Sequence, residues 1–306
     1  MTTIATRPAA SARTPVLAVA AAVGTTLCAA AGGLHVGAGV TPWLLVLLGG
    51  LVCGFLAGLL GIGGALVSVP TFYAVLPMLG VATPELAGQV VASALLAMVP
   101  TALAAAWRQR HLGAIDRPWL LRLSAPMAAG SVAGALFAAH VPGLWLGWLF
   151  AVHSIYYGGR LLLDRRDDGG ASPRGLTRSL CQAPAWLVGS AMAAFSSAVC
   201  MGGGSMVAPF LRHRGLDLRR AVATTGMLNL WIAAGGTAAF LLGAASDRFS
   251  VGPHVPAALA LGLVAAVVAP AGVSVAHAIP ATRLRWLIGA VNGVGAACLV
   301  GQLLGR

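Results

Sequence analysis

This 306-residue chain has little charge. Lysine is absent, since all 19 basic residues are arginine, and only seven residues are aspartate or glutamate. With 8% charged against 58% hydrophobic residues and a mean hydropathy of +0.89, there is too little polar surface to cover a soluble globule of this length. The composition is that of a polytopic membrane protein in contact with the lipid bilayer. The predicted helix centres hold no Asp or Glu, so no carboxylate relay for protons or sodium is visible, and cation carriage is disfavoured. Cysteine motifs are missing too. Cys28, Cys53, Cys181, Cys200 and Cys298 sit mostly in apolar surroundings, with no Cys-x-x-Cys spacing and no histidine set with them in a metal pattern. They read as small buried packers, and the sequence asks for no metal and no cofactor.

The net charge of +12 raises nucleic acid as a partner, but the arginines lie in short loops between apolar spans and do not form one basic face. No nucleic acid is expected. Loop arginines instead report topology, because cytoplasmic loops carry an excess of Lys/Arg. Four groups should therefore be cytoplasmic: Arg108, Arg110 and Arg117; Arg160 to Arg178; Arg212 to Arg220; and Arg283 with Arg285. Arg248, beside Asp247, falls in a loop expected on the outside and fits this scheme less well.

Six apolar stretches approach or exceed the ~20 residues needed to cross a ~30 Å hydrocarbon core. They are Leu86–Trp107, Trp119–His140, Leu144–Leu163, Ala221–Ala245, Val255–Ile279 and Leu284–Leu304. Ahead of them, Thr2–Pro15 carries Arg7 and Arg13, and an Ala/Gly-rich apolar run continues from Val16 to about Val40. Residues 1–40 are expected to form an N-terminal arm and membrane anchor, with a cleaved signal peptide as the alternative; Leu27 before Cys28 argues against a lipoprotein site.

The chain also repeats itself. Gly61-Ile62-Gly63-Gly64-Ala65-Leu66-Val67-Ser68-Val69-Pro70 is echoed about 139 positions later by Cys200-Met201-Gly202-Gly203-Gly204-Ser205-Met206-Val207-Ala208-Pro209. At nearly the same offset Gly50 matches Gly189, Ala133-Gly134 matches Ala271-Gly272, Pro142 matches Pro280, and Trp148-Leu149 matches Trp286-Leu287. Two repeats follow, residues 41–163 and 184–306, joined by a cytoplasmic linker over 164–183. Paired Gly/Pro-interrupted apolar segments in the two halves of a membrane chain point to a transporter's binding site.

Arg178 and Arg212 are 34 positions apart and both expected inside, whereas two crossings need roughly 40 apolar residues. A hairpin of two short or tilted helices is expected there, turning at Met201–Gly204 deep in the membrane, where broken backbone is tolerable only if buried in protein or lining a wet cavity. The equivalent hairpin, Thr41 to Gly80, has no arginine at either flank and should enter from outside. Each repeat then has a hairpin plus three crossing helices. That odd number inverts the second copy relative to the first, the layout of alternating access.

At such tips glycine permits φ > 0 and close backbone approach. The half-helices expected to start near Gly64 and Gly204 offer unpaired N–H groups to an anion, with Ser205 adding a hydroxyl. Helix–helix packing is the competing explanation for the glycines. Thr225 and Asn229 share a helix face one turn apart, as do Gln89 and Ser93 in the first repeat. Neutral donors from two inverted helices suit a small oxyanion; interhelical hydrogen bonding is the alternative. Glu85, at a helix start, and His153, inside a span, are the candidate coupling residues, and His140 and His277 near helix ends look like interface residues. Gly203-Gly204-Ser205-Met206 is similar to the serine turn of an intramembrane protease but lacks the following glycine, and Asp164-Arg165-Arg166-Asp167-Asp168-Gly169 departs from the metal-binding phosphotransferase spacing.

Gly58-Leu59-Leu60-Gly61-Ile62-Gly63-Gly64 with Pro70, the second copy at Gly202-Gly203-Gly204 with Pro209, and the Ala-Val-Ala-Thr-Thr run at 221–225 resemble the TauE/SafE sulfite-exporter family over Thr41 to Leu304. The resemblance implies a bacterial plasma-membrane permease for sulfite, sulfonates or related organic anions, and not an enzyme. Its motif positions fall on Gly61, Gly63, Gly64, Pro70, Gly202, Gly203, Gly204, Pro209, Thr224 and Thr225. Ala65 departs from the family's third consecutive glycine, and Gln89-Val90-Val91 stands where a small residue and Thr-Ser are frequent. The alternative from another class is a non-transporting membrane protein, either an assembly subunit or an intramembrane enzyme. A homo-oligomer is compatible with the sequence, which carries no sign of its order.

Overall fold

The computed structural model describes residues 39–61, 63–82, 85–163, 184–245 and 252–304. Expectations about the N-terminal arm, the 164–183 linker and its arginines, Arg248 with Asp247, and Cys28 and Cys181 lie outside the described residues.

Among the described residues the chain is all-α. Its ten helices are α1 (Thr41–Leu60), α2 (Ala65–Met78), α3 (Leu86–His111), α4 (Arg117–His140), α5 (Gly143–Leu163), α6 (Ala185–Ala198), α7 (Val207–His213), α8 (Leu218–Ala245), α9 (Val255–Ala278) and α10 (Ala281–Leu304), with a 3₁₀ turn at Gly203–Ser205 before α7. Local chemistry sets several of their ends. Pro42, Pro118 and Pro256 occupy first-turn positions of α1, α4 and α9, where a missing N–H does no harm. Asp116 caps α4 by accepting from the Trp119 N–H at 3.1 Å, and His254 Nδ1 accepts from the Ala257 N–H at 3.3 Å at the head of α9. Interior prolines free backbone carbonyls, and hydroxyls reach others nearby: Ser190 Oγ donates to the Pro126 carbonyl at 3.0 Å and Ser274 Oγ to that of Pro270 at 2.9 Å.

Five helices, α1, α3, α4, α8 and α9, are long and apolar enough to cross a membrane. Their outward faces are apolar, with Leu121 76%, Leu242 71% and Val267 82% exposed, which fits lipid as the surrounding solvent. Five exposed tryptophans lie near helix ends, Trp107, Trp186 and Trp286 at one side and Trp43 and Trp145 at the other, the positions of interfacial belts, while the exposed Trp231 sits mid-way along α8.

Lipid is as apolar as leucine, so helices here associate through close packing and interhelical hydrogen bonds. Two parallel helix pairs show it. In α1 against α9, a Cβ on Gly54, Gly58 or Gly272 would overlap the carbonyls of Ala265, Ala269 and Phe55; in α4 against α6, a Cβ on Gly130 or Gly134 would overlap those of Ser190 and Ala194. The Gly134–Ala194 and Gly272–Phe55 contacts join residues that match at the repeat offset. Helices α3 and α8 pack on each other in the middle, α4 against α8, α9 against α3, and α5 against α10.

Arginine-bearing ends gather on one side. Arg108 Nε donates to Ser274 Oγ at 3.1 Å, Arg219 Nη2 to the Ile279 carbonyl at 3.5 Å, and the Asp116 N–H to Thr224 Oγ1 at 3.0 Å. Arg214 lies over Trp119 and Phe210, 5.6 and 5.1 Å from their ring centres. At the opposite end, the His254 N–H donates to Ser93 Oγ at 2.9 Å and ties α9 to the early turns of α3.

Candidate functional site

Helix α1 stops where Gly61 turns left-handed at φ 65°, returning its N–H to the Ala57 carbonyl at 3.0 Å. Gly63 and Gly64 follow at φ 80° each, and α2 leaves directly from Gly64. No side chain caps α2. Space is as restrictive as conformation: a Cβ on Gly63 would come within 2.5 Å of Met98 Cε and 3.4 Å of Gly202 Cα, and one on Gly61 within 2.8 Å of Val222 Cγ1. The first tip therefore meets the second with no side chain between Gly63 and Gly202.

The second tip is built differently. Its left-handed residue is Cys200 at φ 54°, the counterpart of Gly61, and the N-terminal flank of the turn at Gly202 has φ −57°. The expectation that glycine supplies φ > 0 holds at the first tip and does not extend to Gly202–Gly204. There the requirement is room: a Cβ on Gly203 would sit 3.0 Å from Val207 Cγ2 and 3.2 Å from Asn229 Oδ1. Nor does the return helix begin near Gly204. The 3₁₀ turn delays it to Val207, and α7 runs only seven residues, with Pro209 in its first turn.

Asn229 joins the two tips. Only 1% exposed, it accepts the Gly203 N–H through Oδ1 at 2.6 Å and donates from Nδ2 to the Gly61 carbonyl at 2.8 Å. One of the N–H groups expected to greet an anion is thus already occupied. In a low-dielectric interior both tip groups need this partner, since an orphaned buried amide or carbonyl costs about 1–3 kcal/mol.

Helix α5 holds the other side of the second tip. Tyr157 OH donates to the Gly204 carbonyl at 3.2 Å, and His153 Nε2 lies 3.1 Å from Ser205 Oγ. The His153 ring stacks beside Tyr157 and leans on Phe195, with centroids 6.3 and 5.3 Å away. Tyr157 follows His153 by one helical turn, a spacing that sequence reasoning left unused.

The remaining expected residues are placed apart from the tips' contact. Thr225 Oγ1 donates to the Ala221 carbonyl of its own helix at 2.8 Å, and Thr224 anchors Asp116. Ser93, buried, serves His254, while Gln89 Nε2 points back to Glu85 Oε2 at 3.4 Å at the head of α3. Pro70, inside α2, offers its carbonyl to Gln302 Nε2 at 3.3 Å. Several contributors carried no sequence signal: Met98 beneath Gly63, Val222 beside Gly61, and Cys53, whose Sγ donates to the Gly64 carbonyl at 3.3 Å.

Among the described residues no cluster of three or more His, Cys, Asp or Glu side chains could hold a metal ion. The tips present neutral donors and acceptors, with no buried carboxylate among the described residues, an arrangement that can hold or release a small polar solute without covalent chemistry.

The sequence is 28% identical over 256 residues to a protein of Haemophilus influenzae described as "Probable membrane transporter protein", a match covering 79% of this chain and 92% of that protein. No solved structure matches the chain. A match to the family described as Sulfite exporter TauE/SafE extends over residues 46–299, taking in both tips, Asn229 and the helices that hold them. The chain is a multi-pass membrane transporter that belongs to the sulfite exporter TauE/SafE family.

Proposed function

We propose that this transporter is a permease for small anions of the sulfite, sulfonate and related organic-anion class in a bacterial plasma membrane, and that it works by alternating access around its two glycine tips. The observation that carries the proposal is the Asn229 bridge between the Gly203 N–H and the Gly61 carbonyl, made where Gly63 faces Gly202. One side chain ties together backbone from both halves of the chain. Breaking that tie releases an N–H donor and an amide donor at once, and both suit an oxyanion.

Four further features support it. Among the described residues no carboxylate is buried, which disfavours cations, and the arginine-bearing ends gather on one side, which we assign to the cytoplasm. Parallel packing of α1 on α9 and of α6 on α4, through matched contacts, supports repeats over 41–163 and 184–306 that exchange their first helices and lie inverted to one another. The name of the matched family also supports sulfite as a substrate. We assign coupling to His153, which touches Ser205 at the second tip, in preference to Glu85 at the far end of α3.

Sulfite counterflow in proteoliposomes tests the proposal. Wild-type protein should exchange sulfite without altering it, and Gly203→Leu should insert normally yet lose exchange, because the new side chain fills the space against Val207 and Asn229. Undiminished exchange by Gly203→Leu would remove the tips from the transport path. Failure of wild-type protein to exchange any sulfur oxyanion or sulfonate would overturn the anion assignment.

A further inference from the structure

A second polar locus lies on the arginine-bearing side, away from the Asn229 bridge. A narrow cleft of about 10 Å³ is lined by Gly58 of α1, Gln109 of α3, Arg219 and Val222 of α8, and His277 of α9. Neither Gln109 nor Arg219 stands out in the sequence as a site residue, and His277 there reads as an interface residue. Gln109 is 2% exposed, yet its Oε1 has no hydrogen-bond partner among the described residues. The amide lies close against Gly226, where a Cβ would come within 2.9 Å of both amide atoms. A buried amide left unpaired in a membrane interior is expensive, and a membrane protein retains such groups at solute paths; Oε1 can only accept, so the end of the amide that serves an anion is the Nε2 donor.

Charge at the cleft is of one sign. Arg219 is exposed, and His277 beside it in the cleft is half-buried. The nearest acidic residue in sequence, Asp217, pairs with Arg220 at 3.6 Å, and among the described residues no carboxylate pairs with Arg219 or Arg108. The cleft also leads somewhere. Val222, part of its wall, is the residue whose carbonyl and Cγ1 close on Gly61, and Gly58 lies one turn before that tip.

The geometry points to a docking site for the substrate oxyanion in this cleft, where Arg219 supplies positive charge, the Gln109 amide donates a hydrogen bond from Nε2, and the Val222–Gly61 contact separates the docked anion from the tips. This inference rests on the anion-permease reading and deepens it. At about 10 Å³ the cleft has room for about one water, so the anion settles fully only when Val222 and Gly61 part. Docking thus favours the conformer open toward the arginine-bearing side, because the ligand binds that conformer better. Hydrogen bonds to charged groups are strong enough that losing one partner should weaken docking about tenfold or more.

The test uses detergent-purified full-length protein and proteoliposomes, with sulfite as the probe, for wild type, Arg219→Gln and Gln109→Leu. Sulfite should raise the wild-type melting temperature, and each variant should need about tenfold more sulfite for the same rise. The apparent KM at the arginine-bearing face should increase in parallel, while maximal flux is retained. Ligand-free Gln109→Leu should melt no lower than wild type, because an apolar side chain of similar size relieves the unpaired amide; a purely structural role for Gln109 would lower that melting temperature instead. If wild type binds and transports sulfite and both variants match its sulfite dependence, the docking site is wrong and the permease stands. If wild type neither binds nor transports sulfite or a small sulfonate, the anion reading falls and takes the docking site with it.

Discussion

The first tip is shaped mainly by left-handed glycine backbone, and the second mainly by the side chains that grip it. Between the 20 residues of α1 and the 14 of α2, the first turn places Gly61, Gly63 and Gly64 at positive φ and packs them on Val222, Met98 and Cys53. Between the 14 residues of α6 and the seven of α7, the second turn uses a 3₁₀ step and is gripped by Asn229, Tyr157 and His153. Helix α1 is long enough at ~30 Å to cross the hydrocarbon core, while α6 at ~21 Å is not. One sequence pattern thus serves two physical ends. Glycine is needed at the first tip because other residues strain there, and at Gly203 because a side chain would occupy the space where Asn229 bonds.

The largest break in this comparison should come from Gly63→Val. A β-branched residue at φ 80° is strained, and its Cβ meets Met98, so a loss of about 3 kcal/mol or more is expected in reversible unfolding in micelles. Gly203→Ala, with ordinary backbone and contacts of 3.0–3.2 Å, should lose far less, and equal losses would mean that the tips do not differ as described.

Next comes Asn229. Asn229→Ala orphans one group at each tip, at about 1–3 kcal/mol apiece, and should end exchange. Asn229→Asp sharpens the comparison, since it keeps an acceptor for the Gly203 N–H and sets an oxygen against the Gly61 carbonyl. Cysteine-accessibility labelling should then report opening at the first tip with the second still closed.

Tyr157→Phe removes the bond to the Gly204 carbonyl, so a loss of about 0.5–1.5 kcal/mol is expected, with the first tip undisturbed. Labelling that changed equally at both tips would show them to be mechanically one unit. The smallest effect belongs to Cys200→Gly, which gives the second tip the residue found at Gly61. Relief of a left-handed conformation, about 1–2 kcal/mol, is offset by lost packing of a fully buried side chain, and the net change should stay within about 1 kcal/mol.

The helices were legible because periodicity and length survive without context: all six long apolar stretches reappear as α3, α4, α5, α8, α9 and α10 with small shifts at their ends. The short α6 and the break after Ala198 also followed from arithmetic, since too few residues separate Arg178 from Arg212 for two crossings. Within the candidate site, Gly61, Gly63, Gly203 and Asn229 were readable from the repeated pattern and from a polar residue on an apolar helix. Thr224, Thr225, Gln89 and Ser93 share that polarity yet bond elsewhere, because spacing along one helix says which residues share a face and nothing about what that face meets.

The sequence by itself determined that this protein lives in lipid, which stretches form its long apolar helices, and that two glycine turns interrupt the chain, because hydropathy, length and glycine chemistry act locally. Only the tertiary structure decided that one asparagine ties both turns, that Cys200 and not a neighbouring glycine takes the left-handed position, and that Gln109 faces a cleft beside Arg219. Those outcomes depend on which helices lie side by side, and in a membrane that choice rests on close backbone contacts between distant residues.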